Sequence, residues 1–319
     1  MGARRPLCAE LSRENAEPLT ATASRIDHWL LLEYRSVWPR EPATGSSLPP
    51  AVVAHLEEQL AALPRCRLLF VRRASRRRER RLAFYVGRTT EADRRFLGAE
   101  FGGYDELLGI DAAASLAGGA GGDLRAIEQP LFVVCTHGKR DPCCAKFGRP
   151  LYEAVRDELG DDCVWQSSHV GGDRFAGNLI CFPHGLYFGR VDRAEVPELV
   201  DECLAARVYL PAFRGTCVYP FVVQAAETVI RAELGVEGVY DLQLAGTERT
   251  ERDESGQEEW QVAFELRGDG KRALARVAVG WGEPTYLTCS ASTLRRPRRY
   301  DARLVDRLAG RSPPGRSPL

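Results

Sequence analysis

Apolar and polar positions along the chain follow two periods, one typical of strands and the other of amphipathic helices. Early in the chain, "WLLLEY" is typical of a buried strand and residues 48–64 of a helix with prolines at its start. Two strand-like runs, "RLLFV" and "LAFYV", flank an arginine-rich loop at 72–81. This order predicts a β-α-β-β unit. The arginine-rich loop is interpreted as a solvated hairpin connection.

The same pattern begins again at Leu131. "LFVVC" predicts a strand, residues 146–160 predict an amphipathic helix that ends at Gly160, and "CVWQSS" predicts a second strand. A hairpin formed by "NLICFP" and "LYFGRV" follows, and residues 195–208 predict a closing helix. Strand, helix, strand, hairpin and helix is the thioredoxin-like order of elements.

After Tyr219, a helical pattern leads to three or four alternating runs, the last of them at 285–291, which predict a small antiparallel meander. The predicted fold class is therefore α/β, with a thioredoxin-like central domain preceded by a related β-α-β-β unit and followed by a small antiparallel β meander. The predicted divisions are a polar N-terminal segment at 1–24, an N-terminal α/β unit at 25–128, the thioredoxin-like domain at 129–225, a helix plus meander at 226–294, and a basic flexible tail at 295–319.

Composition narrows the choice of partners and compartment. The 44 basic residues balance the 44 acidic ones, so we expect no nucleic-acid partner. No apolar run approaches the roughly 18 residues of a membrane-spanning helix, and the first residues lack the apolar core of a secretion signal. We therefore expect a cytoplasmic protein with no membrane partner. In that compartment six of the ten cysteines, which are scattered among apolar neighbours, are expected to be reduced and mostly buried thiols: Cys66, Cys163, Cys181, Cys203, Cys217 and Cys289.

The sequence "CTHGKRDPCC" at 135–144 contains the most informative chemistry. Cys135 lies where a parallel strand is predicted to leave its sheet, which is where open α/β sheets place their ligands. Cys144 lies near the predicted start of the next helix, where the helix dipole favours a thiolate. Lys139 and Arg140 are expected to lower the thiol pKa further. These features suit either metal ligation or redox chemistry.

A second loop, "SSHVGGDRFAGN", follows the next predicted strand and should approach the same edge of the sheet. It supplies His169 and Asp173. Gly171 and Gly172, which lie between them, allow a tight backbone turn that directs both side chains toward one centre. Two thiolates, one imidazole and one carboxylate then make four donors. Zinc stays open as the metal that these donors bind, although the short Cys-Cys spacing of structural zinc sites is absent.

Other thiol chemistries fit the spacing less well. A disulfide oxidoreductase motif needs C-x-x-C, whereas Cys143 stands directly beside Cys144. A phosphatase-like anion loop needs five residues between its cysteine and arginine, and Cys135 and Arg140 have four between them. A nucleophile elbow, G-x-S-x-G, is also absent.

The two loops together with "GLYFGRV" resemble the sucrase/ferredoxin-like family, a group of thioredoxin-fold [2Fe–2S] proteins. The likeness extends over most of residues 19–230. The resemblance implies a cluster bound by two cysteines and two histidines, which places Cys135 and Cys144 as thiolate ligands and His169 as the first imidazole. The second histidine of the family falls on Asp173. An aspartate ligand should make the potential less positive than a second histidine would.

The resemblance therefore implies an electron carrier rather than an enzyme, with a redox partner protein such as a flavoprotein reductase or a ferredoxin. No sucrase activity is expected, because no carboxylates are paired at glycosidase-like positions. If Asp173 is not a ligand, then Cys143, His137 or water could complete the site. Two alternatives stay open. One is a thiol-dependent oxidoreductase with Cys135 as attacking thiolate and Cys143 or Cys144 as resolving thiol. The other is a metal-free or zinc-binding scaffold.

Overall fold

The computed structural model describes residues 5–42, 44–73, 81–250, 258–268 and 270–308. The α-helices are α1 (Cys8–Glu14), α2 (Pro50–Ala62), α3 (Ala112–Leu116), α4 (Pro142–Leu159), α5 (Val196–Leu204) and α6 (Phe221–Leu234). The strands are β1 (His28–Glu33), β2 (Cys66–Arg72), β3 (Leu82–Thr89), β4 (Arg94–Phe101), β5 (Arg125–Ala126), β6 (Leu131–Cys135), β7 (Val164–Ser167), β8 (Leu179–Phe182), β9 (Leu186–Phe188), β10 (Phe213–Thr216), β11 (Leu242–Thr250), β12 (Glu258–Leu266), β13 (Arg272–Trp281) and β14 (Arg298–Leu308).

Ten strands form one mixed sheet in the order β10-β9-β8-β6-β7-β2-β1-β3-β4-β5. In each half, a strand pairs in parallel with the strand that follows its helix: β1 with β2, and β6 with β7. Each also pairs with a later antiparallel strand, β3 or β8. This repeated plan follows from the repeated sequence pattern, and it confirms a mixed α/β fold. Strand β4, which was not predicted, extends the first half through an antiparallel pairing with β3.

A separate sheet of four antiparallel strands, in the order β11-β12-β13-β14, confirms a small antiparallel meander. Its fourth strand is β14 and not the predicted run at 285–291, which has only an isolated bridge from Thr285 to Arg295. Alternate residues of β12 and β13 point inward, so that Val262, Phe264 and Val277 are fully buried. Helix α6 covers this face with Val223, Ala226 and Ile230, which belong to the same apolar cluster. The apolar side chains that alternate along the strands and those on one face of α6 thus pack together into one small core.

The prediction of a flexible tail at 295–319 is wrong for the part that forms β14. This strand pairs along β13 from Arg298, opposite Trp281, to Leu308, opposite Arg272. Charged residues alternate with apolar ones along this strand, and the apolar Tyr300, Ala302 and Leu304 pack against the core of the small sheet. Residues 309–319 lie outside the described residues.

The polar N-terminal segment also contains an ordered element. Helix α1 buries Cys8, Ala9 and Ser12, which share one helical face, and Arg13 donates a hydrogen bond to the carbonyl oxygen of Ala176. Short length and a charged outer face concealed this helix in the sequence. Most of the arginine-rich loop, residues 74–80, lies outside the described residues.

Two arginines at the edge of that loop are packed against aromatic rings. The Arg72 guanidinium lies 4.2 Å from the ring centre of Trp38, and that of Arg73 lies 4.1 Å from Trp165. These are cation–π distances. Among the helices of the described chain, none combines the length and apolar character that a membrane crossing requires.

Candidate metal centre

The two predicted loops meet at one edge of the main sheet. Cys135 and Ser167 end the parallel strands β6 and β7 and are register partners. The backbone N–H of Thr136 donates to the carbonyl oxygen of Ser167 at 3.1 Å, which holds the two exits together. His169 follows two residues later. One ligand atom each from Cys135, Cys144 and His169 all lie within 4.8 Å of one another.

The first turn of α4 brings Cys144 to this centre. Asp141 caps the helix, because its Oδ1 accepts a hydrogen bond from the backbone N–H of Cys143 at 2.9 Å. Further along, Gly148 lies against the end of β6, where a Cβ would overlap the carbonyl oxygen of Cys135. A glycine at this position therefore lets the helix lie close to the strand, which places Cys144 beside Cys135.

The second loop turns back through two glycines with positive φ, Gly171 at 97° and Gly172 at 81°. The turn returns Asp173 to the site, where it is only 4% exposed. One carboxylate oxygen of Asp173, Oδ1, lies 3.0 Å from Nδ1 of His169 and accepts a hydrogen bond from Sγ of Cys144 at 3.3 Å. All four predicted site residues are thus in one place, with Asp173 bridging the imidazole and one thiol.

The electrostatics separate the two thiols. A hydrogen bond from Cys144, together with His169, holds the pKa of Cys135 well below its ordinary value, although burial opposes this. The same contact with Cys135, reinforced by burial, raises the pKa of Cys144 well above its ordinary value. Burial disfavours a charged His169, but its interactions with Asp173 and Cys135 outweigh burial and raise its pKa to about 9. Burial likewise opposes ionisation of Asp173, yet His169 lowers its pKa overall. The site therefore favours a thiolate at Cys135.

A buried arginine supports this anionic site. Arg214 is 1% exposed, and its guanidinium donates to the carbonyl oxygens of Gly171 and Thr22 and to Oδ1 of Asn178. Burial lowers its pKa to about 10, while Cys135 and Asp173 act in the opposite direction. Within the described ranges, Arg214 has no carboxylate ion pair. Its positive charge therefore favours negative charge at the nearby site.

His137, in the first loop, is a further donor at this edge of the sheet. Its side chain is 2% exposed, and neither ring nitrogen has a hydrogen-bond partner. The rings of Trp38 and His137 pack in a T-shaped arrangement, with the ring centres 5.7 Å apart. Burial is the main reason that the pKa of His137 is lowered, so the ring is held neutral. Burying an imidazole without a hydrogen-bond partner costs folding free energy unless the ring binds a partner such as a metal ion. Its position therefore fits a metal-binding loop.

Cys143 does not belong to this site, which corrects both roles considered for it in the sequence. Its sulfur lies 3.6 Å from that of Cys8 and 3.4 Å from that of Cys289. Cys143 therefore neither completes the first centre nor serves as a resolving thiol for Cys135. Sequence reasoning missed the contacts of Cys8 and Cys289 with Cys143, because both lie far from the loop in the chain. The adjacent Cys143 and Cys144 were a usable signal, because consecutive helical residues point in different directions.

The donor set fits a metal centre. Two thiols and an imidazole are the ligands preferred by zinc and by iron in clusters, and here both thiols are buried and the imidazole is partly buried beside an additional carboxylate. Fold and site together define an α/β protein with a thiol- and imidazole-lined candidate metal centre. The chain belongs to the sucrase/ferredoxin-like family, whose sequence profile matches residues 19–215.

Curated relatives match over a shorter part of the chain. Altered inheritance of mitochondria protein 32 from Eremothecium gossypii is 31% identical over 99 residues, which are 27% of this chain and 32% of the relative. The protein of the same name from Debaryomyces hansenii is 32% identical over 99 residues, which are 28% of this chain and 36% of that relative. The chain thus spans about a third of the length of these relatives. No solved structure matches the chain.

Proposed function

We propose that the protein is a ferredoxin-like electron carrier with a [2Fe–2S] cluster held by Cys135, Cys144, His169 and Asp173. The cluster would lie in a thioredoxin-like domain at 129–225. The observation that supports this proposal is the convergence of two thiols and one imidazole within 4.8 Å of one another, from the end of β6, the first turn of α4 and the loop after β7. Membership of the sucrase/ferredoxin-like family supports it independently. When bound, such a cluster supplies reversible one-electron transfer.

The residues of this chain would set the potential and keep water out. Asp173 is an anionic oxygen donor, which lowers the potential relative to a neutral imidazole. The buried cation of Arg214 acts in the opposite direction, because it stabilises the added negative charge of a reduced centre. Trp165 is fully buried next to the second loop and excludes water from that side.

Electrons would pass through the exposed edge of His169. Its side chain is 23% exposed and lines a surface cavity of about 480 Å³. Three arginines, Arg40, Arg67 and Arg140, line the same cavity, where Glu41 pairs with Arg140 at 2.6 Å. A basic surface around an electron exit suits an acidic redox partner, such as a flavoprotein reductase or a ferredoxin. We propose a cytoplasmic location, with neither nucleic acid nor membrane as a partner.

The test is to purify the full chain without oxygen and to measure iron, acid-labile sulfide, visible absorption and the EPR spectrum after reduction. We expect about two irons and two sulfides per chain and a spectrum from the reduced cluster. The variant Cys135→Ser should lose the iron and the colour. Protein that stays colourless and iron-free after anaerobic reconstitution would rule out the proposal.

A thiol-dependent oxidoreductase is the second candidate, and one observation favours it. The lowered pKa of Cys135 and the raised pKa of Cys144 suit a nucleophile and its resolving thiol. Against this, Cys135 is only 1% exposed, so a disulfide substrate could reach its sulfur only after the loop moves. Iron-free protein whose thiol–disulfide exchange disappears in Cys135→Ser would favour this second function. Zinc without colour would instead favour a zinc-binding scaffold.

A further inference from the structure

Three cysteines from distant parts of the chain meet on the outer side of α4. Cys8 comes from α1, Cys143 from the first turn of α4, and Cys289 from the connection at 282–297 between β13 and β14. Cys8 and Cys143 are fully buried, and Cys289 is partly buried. Since 135 residues separate the first pair and 146 the second, this meeting is a product of the tertiary fold.

The three sulfur atoms form a nearly equilateral triangle. The separations are 3.6 Å for Cys8 and Cys143, 3.4 Å for Cys143 and Cys289, and 3.5 Å for Cys289 and Cys8. A disulfide needs about 2.0 Å, so none is formed. Tetrahedral zinc with bonds of about 2.3 Å places its sulfur ligands about 3.8 Å apart. The observed triangle is thus close to the base of a zinc–thiolate tetrahedron.

A buried carboxylate lies beside the triangle. Asp141 is fully buried, and its two oxygens are 3.9 and 3.8 Å from the sulfur of Cys8. Backbone N–H groups orient the donors: that of Cys289 donates to Oδ2 of Asp141 at 2.7 Å, and that of Cys8 donates to the sulfur of Cys289 at 3.4 Å. Such bonds fix ligands from outside the metal shell. Three thiols and one carboxylate make a complete four-donor set.

We propose that Cys8, Cys143, Cys289 and Asp141 form a second metal site that binds one zinc ion. The close sulfur spacing fits a single ion, because one centre bonds all three thiolates at once. Binding replaces the thiol protons, which leave to solvent, and no electron transfer is involved. This site is separate from the first centre and does not depend on the function proposed for it.

The ion would fasten three pieces of chain together. It would join α1 and the 282–297 connection to the start of α4, the helix that also presents Cys144. The segment that leads into α1 already contacts the 282–297 connection through Arg5, whose guanidinium donates to the carbonyl oxygens of Cys289 and Ala291 and lies 4.0 Å from the ring centre of Tyr286. Zinc would thus add a cross-link between segments that side-chain contacts already hold close together.

The experiment measures zinc per chain in the purified full-length protein and in three variants. We expect about one zinc in the wild type and in Cys144→Ser, which alters only the first centre. Cys8→Ser should lose the zinc. Cys66→Ser removes another partly buried thiol and should keep it. Equal zinc in Cys8→Ser and the wild type, or loss of all zinc in Cys144→Ser, would overturn the proposal.

A measurement on the wild type alone covers the case in which Cys8→Ser does not fold. The protein is alkylated before and after zinc chelation, and each cysteine is followed by mass spectrometry. We expect Cys8, Cys143 and Cys289 to be protected at first and to become reactive together when zinc is removed. Reaction at the same rate with and without the chelator would refute the site, as would recovery of any two of them as a disulfide.

Discussion

Cys143 and Cys144 are neighbours in the first turn of one helix, but their sulfur atoms belong to different clusters. The sulfur of Cys143 lies 3.4 Å from that of Cys289, whereas the sulfur of Cys144 lies 3.3 Å from Oδ1 of Asp173. Successive side chains of an α-helix point about 100° apart, because one turn takes about 3.6 residues. The start of α4 can therefore serve two centres at once.

This relationship predicts different outcomes for two adjacent substitutions. Cys144→Ser should abolish the iron and the visible colour, because it removes a ligand of the first centre. Cys143→Ser should keep the iron and lose zinc instead. Metal analysis and visible spectra of the two variants, purified in parallel without oxygen, check this. Loss of iron to the same extent in both variants would contradict the separation of the two sites.

Asp173 is expected to set the potential of the first centre. Asp173→His replaces an anionic oxygen with a neutral nitrogen, so the midpoint potential should rise by on the order of 100 mV or more. A spectroelectrochemical titration of the purified variant measures this rise. An unchanged potential and an unchanged EPR spectrum would show that Asp173 is not a ligand.

His137→Gln is the matched variant for this measurement. It changes the unpaired imidazole of the first loop and should leave the cluster in place if Asp173 is the fourth ligand. If His137→Gln loses the cluster while Asp173→Asn retains it, the fourth ligand is His137.

Gly148→Ala should damage both the fold and the site. The added methyl group would overlap the carbonyl oxygen of Cys135, so α4 must move away from the end of β6. We expect a loss of about 1–3 kcal/mol in the free energy of unfolding, which is typical of overpacking, together with weaker iron binding. Urea denaturation and metal analysis check both effects.

Gly103→Ala is the control, because no atom lies within 4 Å of the position that its Cβ would take and its φ of −157° is ordinary extended backbone. Equal stability of the two alanine variants would show that the close contact at Gly148 is unimportant.

His184 should make stability depend on pH in a defined window. Burial lowers its pKa from 6.5 to about 4, and its Nδ1 lies 3.0 Å from the hydroxyl of Tyr240. Between these pH values the unfolded chain binds more protons than the folded one. Stability is therefore lost as the pH falls from about 6.5 to about 4, by up to roughly 3 kcal/mol from this residue.

The check compares urea denaturation of the wild type and of His184→Asn at several pH values from 7.5 to about 4. The free energy of unfolding of the variant should fall less steeply, since other titrating groups are common to both proteins. Parallel curves would show that His184 has the same pKa in the folded and the unfolded protein.

The meeting of the two loops could be predicted from sequence because it depends on a local rule. Cys135 ends one strand of a parallel pair and His169 follows the other, and parallel strands leave a sheet at the same edge. The intervening Gly171 and Gly172 indicated the tight turn that brings Asp173 back. Apolar periodicity likewise predicted α4, α6 and the central hairpin.

The cluster of Cys8, Cys143 and Cys289 could not be predicted in this way. No spacing rule links residues that lie so far apart. Cys8 is in a segment rich in charged residues, and Cys289 is in the run at 285–291, which was predicted as a strand of the meander. Strand β14 was also missed, because the charged residues Asp301 and Arg303 separate Tyr300, Ala302 and Leu304. In both cases the structure depends on contacts between distant parts of the chain, which local composition does not indicate.

The two halves of the large sheet are joined by very little backbone pairing. Strands β2 and β7 have only two register pairs, Val71 with Ser167 and Arg72 with Gln166, and the adjoining Ser168 N–H donates to the carbonyl oxygen of Phe70 at 2.7 Å. This narrow seam ends one residue before His169. Any relative movement of the two halves at this seam would therefore act on the loop that carries His169, so a partner bound to the N-terminal half would be placed to alter the proposed metal centre.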